Sequence, residues 1–147
     1  MMLIKQVGIY VNILNCRLKK YLGEVFKRSG VNLTAEQYLV MDTLWNEGTL
    51  TQQSIAYIIQ KDKNSVTQFI DNLEKKGLVA RTVEKSDRRV NNIKVTDEGM
   101  GLKDSMKELA INTMNEILSD IPEDDLNTFV GVIKKVCANI ESASRKD

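Results

Sequence analysis

Asn64, Ser65, Thr67 and Gln68 crowd four short polar side chains into one stretch of the chain. Their hydroxyl and carboxamide groups both donate and accept hydrogen bonds, so they can read base edges and grip phosphate oxygens. Lys63 and Lys75 flank them and carry the charge that pairs with phosphate. Further on, Lys85-Ser86-Asp87-Arg88-Arg89 places two guanidinium groups in one short turn. Such groups suit a minor groove, where a narrow A-tract deepens the negative potential. The plain alternatives are a solvated helix face and a solvated charged turn.

To act together, these groups need a helix face and a hairpin side by side. Val66, Phe69, Ile70 and Leu73 follow the i, i+3, i+4, i+7 spacing of a buried helix stripe, which turns the polar set outward. Asp62 caps that helix and Gly77 stops it. Leu78 to Glu84 and Val90 to Val95 are rich in β-branched residues and predict a hairpin whose tip is the Arg turn. Upstream, Thr51 caps a short helix with Ile55, Ala56, Ile58 and Ile59, and Gln60-Lys61 forms the turn between the two helices. Helix, turn, helix and hairpin in this order are a winged helix-turn-helix, assigned to residues 34–96.

The flanks are helical as well. Ile4, Val7, Val11, Leu14, Leu18, Tyr21 and Val25 alternate steps of three and four, a heptad seam. Ile9, Ile13 and Cys16 add a second apolar face, so this helix must pack on two sides. Thr34 to Gln37 form a capping box that opens a central helix carrying Tyr38, Val40, Met41, Leu44 and Trp45. Gly48 closes it, and a short strand is expected at 49–51. Thr96 caps a long fifth helix, expected to run to about Ser119 with Leu102, Met106, Leu109 and Thr113 inward. Pro122 and the acids Glu123, Asp124 and Asp125 open a sixth helix with Phe129, Ile133, Cys137 and Ile140 on its apolar face. Cys137 reads as core. The expectation is one mainly α-helical domain over residues 1–147, with a small β-hairpin wing. Either both faces of the first helix lie inside one monomeric core, or one meets a partner chain, with segments 1–30 and 100–147 as the dimerisation helices through Ile4, Val7, Val11, Leu14, Leu18, Phe129, Ile133 and Ile140.

Composition narrows the function classes. The 147 residues carry net charge +1, unevenly spread. Residues 1–60 hold +2, residues 61–96 hold +4 and residues 97–147 hold −5. Only charge near phosphates releases counterions, so the local excess on the winged segment is what counts. There is no histidine, which removes His-based acid–base chemistry, catalytic triads and imidazole metal sites. The glycines are scattered and form no phosphate loop. No enzyme, cofactor or metal site is expected. Charges interrupt every apolar run, and no secretory signal is evident, so neither a membrane span nor export is expected; a cytoplasmic protein is the default. A winged-helix module that binds protein rather than DNA is the competing reading, separable by salt dependence.

Leu73-Glu74-Lys75-Lys76-Gly77-Leu78-Val79, then Asp87-Arg88-Arg89, then Val95-Thr96-Asp97-Glu98-Gly99, resemble the signature of the multiple antibiotic resistance regulator (MarR) family. The likeness covers essentially the whole chain. It implies a homodimeric transcriptional regulator, an effector-responsive repressor that offers two winged helices to a pseudo-palindromic duplex. It implies that Arg89 is the minor-groove residue and that Asp87 serves the wing structure, accepting hydrogen bonds from nearby donors. It also implies a small aromatic effector near Tyr38, Met41 and Trp45, although the spacing of those residues reads as plain core. One branch of the family senses peroxide through a first-helix cysteine, which makes Cys16 a possible redox residue; the bland reading is inert packing. Two departures stand out. Gln60 and Lys61 replace the usual Gly and apolar residue of the turn. Gln68 replaces a frequent Arg, which shifts the expected base from guanine to adenine.

Overall fold

The computed structural model describes residues 2–83, 86 and 90–145. Side chains at the helix ends set the boundaries. Helix α1 spans Leu3–Arg28. Helix α2, Ala35–Glu47, opens on the Thr34/Gln37 capping box, with both reciprocal hydrogen bonds made. Strand β1 is Leu50–Thr51. Helix α3, Gln52–Ile59, is capped by the Thr51 hydroxyl, and helix α4, Lys63–Lys75, by Asp62. Strands β2, Val79–Val83, and β3, Asn91–Val95, form the expected hairpin. The short strand expected at 49–51 joins it: Leu50 pairs with Ile93 and Thr51 with Asn92, giving an antiparallel sheet in the order β1-β3-β2.

By its contacts the chain divides into Met1–Thr113 and Met114–Asp147. In the first unit α2 is central, as its nearly all-round apolar sequence requires. Val40, Met41, Leu44 and Trp45 are buried, together with Ile55, Ile59, Val66, Ile70 and Leu73 from α3 and α4. Leu78, Val79 and Ile93 extend that core under the hairpin, and Met106 closes it. Gly77, at φ 77°, turns the chain from α4 into β2.

The fifth helix differs from expectation: it breaks. Helix α5 covers Asp97–Met100 and helix α6 covers Lys103–Ile117. Trp45 Nε1–H reaches across to the Gly99 carbonyl at 3.1 Å, and Leu102 N–H takes the same oxygen at 3.3 Å. A carbonyl engaged in that way, with Gly101 next in line, tightens the ladder locally. The inward stripe survives the break, since Met106, Ala110 and Thr113 are buried.

In the second unit, helix α7 spans Glu123–Arg145. The Pro122 carbonyl accepts from Asp125 and Leu126 N–H, and three acids fill the first turn, as the dipole favours. None of its residues is buried in the single chain. Cys137 is therefore exposed and not core, because the helix that carries it buries no face.

Candidate nucleic-acid interface

Helix α4 presents the polar set as its periodicity demands. Val66, Ile70 and Leu73 are buried, while Lys63, Asn64, Gln68 and Lys75 are exposed. Ser65 and Thr67 are half-buried, and both are committed within the protein. Asp62 Oδ1 accepts the Ser65 N–H at 2.8 Å, and Oδ2 accepts the Ser65 hydroxyl at 2.9 Å. These hydrogen bonds hold the Asp62 carboxyl below its ordinary range, because they favour the ionised form. The Thr67 hydroxyl donates to the Lys63 carbonyl at 2.8 Å and accepts from Gln52 Nε2 of α3. Among the described residues, Asn64 and Gln68 are thus the members of the set whose exposed carboxamides carry no such internal tie.

The turn ahead of α4 is built on a residue that favours it little. Gln60 adopts φ 56° and ψ 48°, the left-handed region, and its carboxamide donates to the Tyr57 carbonyl at 2.7 Å. The neighbouring Lys61 meets Lys19 of α1, whose ammonium also pairs with Glu36 at 3.2 Å. The contact between the two lysines lowers the pKa of Lys61, and the hydrogen-bonded partners raise that of Lys19.

The sequence did not single out Arg81 of β2. Its Nη2 lies 2.6 Å from Asp71 Oδ1 and its Nη1 lies 2.9 Å from Glu74 Oε1, both on α4. The signal was present, since carboxylates at i and i+3 stand side by side on a helix. Gln52, Gln53, Ala56, Lys63, Thr67, Val90 and Asn91 line a cleft of about 300 Å³ between the helix pair and the base of the hairpin. Gln52, Gln53 and Asn91 were likewise not anticipated. Asp87, Arg88 and Arg89 lie outside the described residues.

Other candidates take plainer roles. Tyr38 packs between Phe26, tilted with centroids 5.1 Å apart, and Trp45, edge-on at 6.2 Å, and burial pushes its phenol up to about 12. Met41 and Trp45 are buried in the same core. Cys16 is exposed on α1, with Sγ 3.9 Å from Asn12 Oδ1. The seam residues stand in water in the single chain: Ile4 is 79% exposed, Val11 56% and Leu14 49%, with Val7 also exposed and Leu18 half-buried. Phe129, Ile133 and Ile140 of α7 are exposed too. Among the described residues no group of three His, Cys, Asp or Glu side chains could hold a metal ion, and no helix is long and apolar enough to cross a membrane.

Three capped helices around a three-stranded antiparallel sheet, with an outward polar helix beside a hairpin, define a winged helix-turn-helix protein. Residues 33–90 match the MarR family. The chain is 29% identical over 122 residues to the HTH-type transcriptional regulator SarZ of Staphylococcus haemolyticus, covering 83% of this chain and 80% of that protein. It is 25% identical over 129 residues to the HTH-type transcriptional regulator MhqR of Bacillus subtilis, covering 88% of each. The structure of reduced AbfR bound to DNA superposes with a TM-score of 0.76 at 25% identity, over 94% of both chains.

Proposed function

We propose that this chain is a transcriptional regulator that binds duplex DNA as a homodimer, and represses by occupying a pseudo-palindromic site. The observation that carries the reading is the outward face of α4, where Lys63, Asn64, Gln68 and Lys75 are exposed on a helix held rigidly by the core behind it. A major groove accepts a helix of this kind, with Gln68 placed for an adenine edge and the lysines for phosphates. Ser65 and Thr67 act through the backbone they fix, and Arg88 and Arg89 supply the minor-groove contact. The exposed apolar rows of α1 and α7 support pairing, since residues such as Val11, Leu14, Phe129 and Ile133 are exposed in the single chain and a second copy would cover them. Two copies then present two helices to a two-fold site. A small effector regulates by binding one arrangement of the dimer more tightly than another.

Selection of bound fragments from random duplex DNA, with purified protein at stated salt, tests this. The expected result is an enriched two-fold motif whose affinity falls linearly in log–log salt, with a slope of about −0.9 for each phosphate neutralised. No enrichment and no salt dependence would mean a protein-binding winged helix instead.

A further inference from the structure

We propose that Arg81 is a positioning residue for DNA recognition: it locks the wing to the recognition helix, and so sets the spacing at which the two reach the duplex. This rests on the DNA-binding reading above. Arg81 sits in the middle of β2, opposite Ile93 of β3. Its guanidinium spreads over two carboxylates of α4, Asp71 at 2.6 Å and Glu74 at 2.9 Å. Its own backbone N–H points at the second Glu74 oxygen, at 3.3 Å. One planar fork therefore ties the strand that leads into the wing to the outer side of α4.

The geometry separates this cluster from an ordinary surface ion pair. The Arg81 side chain is 21% exposed, and its guanidinium makes two hydrogen bonds that the residue's own backbone N–H joins with a third. Paired bonds to carboxylates fix direction as well as distance, which an ammonium on a flexible stem does not. Electrostatics adds a second reason. Asp71 and Glu74 are each nearly half exposed on the helix that approaches phosphates. Unpaired, they would repel the duplex; Arg81 cancels part of that charge while holding the hairpin in place.

The rival role for Arg81 is a direct phosphate contact, in which case the carboxylates compete with DNA for it. At high salt, where the repulsion between the carboxylates and the duplex is screened, the two roles give opposite signs for Asp71→Asn. A positioning Arg81 loses an anchor and binding weakens. A phosphate-binding Arg81 is released and binding tightens.

The experiment uses the full chain and the duplex it selects from random DNA. Affinity is measured across a salt series for Arg81→Met, Arg81→Lys, Asp71→Asn and Glu74→Gln, and for Arg81→Met combined with Arg89→Ala. Arg81→Met is expected to weaken binding by about tenfold or more, with the log–log salt slope changed by less than about one unit. At high salt Asp71→Asn and Glu74→Gln each weaken it too, and Arg81→Lys recovers part of the loss. Arg89→Ala costs less in the Arg81→Met background than alone, because the wing has already left its register; a merely structural role would leave that coupling at zero. Wild-type affinity in Arg81→Met, or tighter binding by Asp71→Asn at high salt, overturns the proposal. If Arg81→Met does not fold, the two carboxylate variants decide by the same sign. If the wild-type chain selects no duplex, the regulator reading itself fails, a result distinct from all of these.

Discussion

Gln52 of α3 donates its carboxamide proton to the Thr67 hydroxyl of α4, and Thr67 hands its own proton to the Lys63 carbonyl. The side chain nearest the middle of the polar set is therefore spent on joining the two helices. Its contribution to recognition is to hold the angle between them. Thr67→Val keeps the shape and removes the hydroxyl, leaving the Gln52 amide without its acceptor. DNA affinity should then fall by a similar factor on every sequence, with no change of preferred base. Gln52→Leu should do the same, and the double variant should be no worse than either single one. Parallel binding curves on the selected duplex and on single-base variants of it measure this. A changed preference at one base step would make Thr67 a reader instead.

Acid should loosen the N-terminus of the recognition helix. Asp62 caps α4 through both carboxylate oxygens, and its folded pKa lies below the ordinary 3.8. A depressed carboxyl stabilises fully above its unfolded pKa, and the contribution is lost as pH falls through the folded value. Asp62→Asn keeps a capping oxygen that does not titrate. Melting of the two proteins from about pH 5 down to pH 2 should show a shallower acid loss for the variant. Equal slopes would remove Asp62 from the acid response.

Gly99 is a position where no side chain fits. A Cβ there would stand 2.3 Å from the Leu78 carbonyl and 2.7 Å from Val95 Cγ1, so backbone would have to move. Gly99→Ala should cost about 1–3 kcal/mol of stability, the usual range for overpacking. Trp45→Phe keeps most of the ring but drops the hydrogen bond to the same carbonyl, at a cost of about 1 kcal/mol. Denaturant titrations that order the two variants the other way would show that the α5 contact is slack.

The contrast between α4 and the break after α5 shows what one-dimensional pattern carries. The stripe Val66, Ile70, Leu73 is local, and the caps Thr34, Thr51, Asp62 and Thr96 act within three residues, so the starts of α2, α3, α4 and α5 were legible. The interruption at Gly101 was not, since it depends on Trp45, far away in sequence, reaching the Gly99 carbonyl. Arg81 escaped notice for the same reason: in a strand it looks like any solvated residue until Asp71 and Glu74 are brought beside it. Exposed polar positions such as Gln68 could be placed on a face, but Ser65 and Thr67 look alike in sequence whether they face water or their own helix. The apolar seams of α1 and α7 were legible as needing cover, and Cys137 was misplaced because that cover is not within the single chain.

That missing cover is testable. Leu14 on α1 is 49% exposed and Ile133 on α7 is 40% exposed, and neither belongs to the core of the winged unit. A charge at either site costs the isolated chain little, but it is left buried and unpaired if two copies pack there. Leu14→Glu and Ile133→Glu should therefore sediment as monomers where the parent sediments as a dimer, with the helical signal of the winged region retained. Affinity for a two-fold duplex should drop by about 10²-fold or more through lost avidity, whereas affinity for a half-site should stay near that of the parent. Should both variants remain dimeric, the two apolar rows must face something other than a second copy, and the two-fold reading of the duplex would lose its basis.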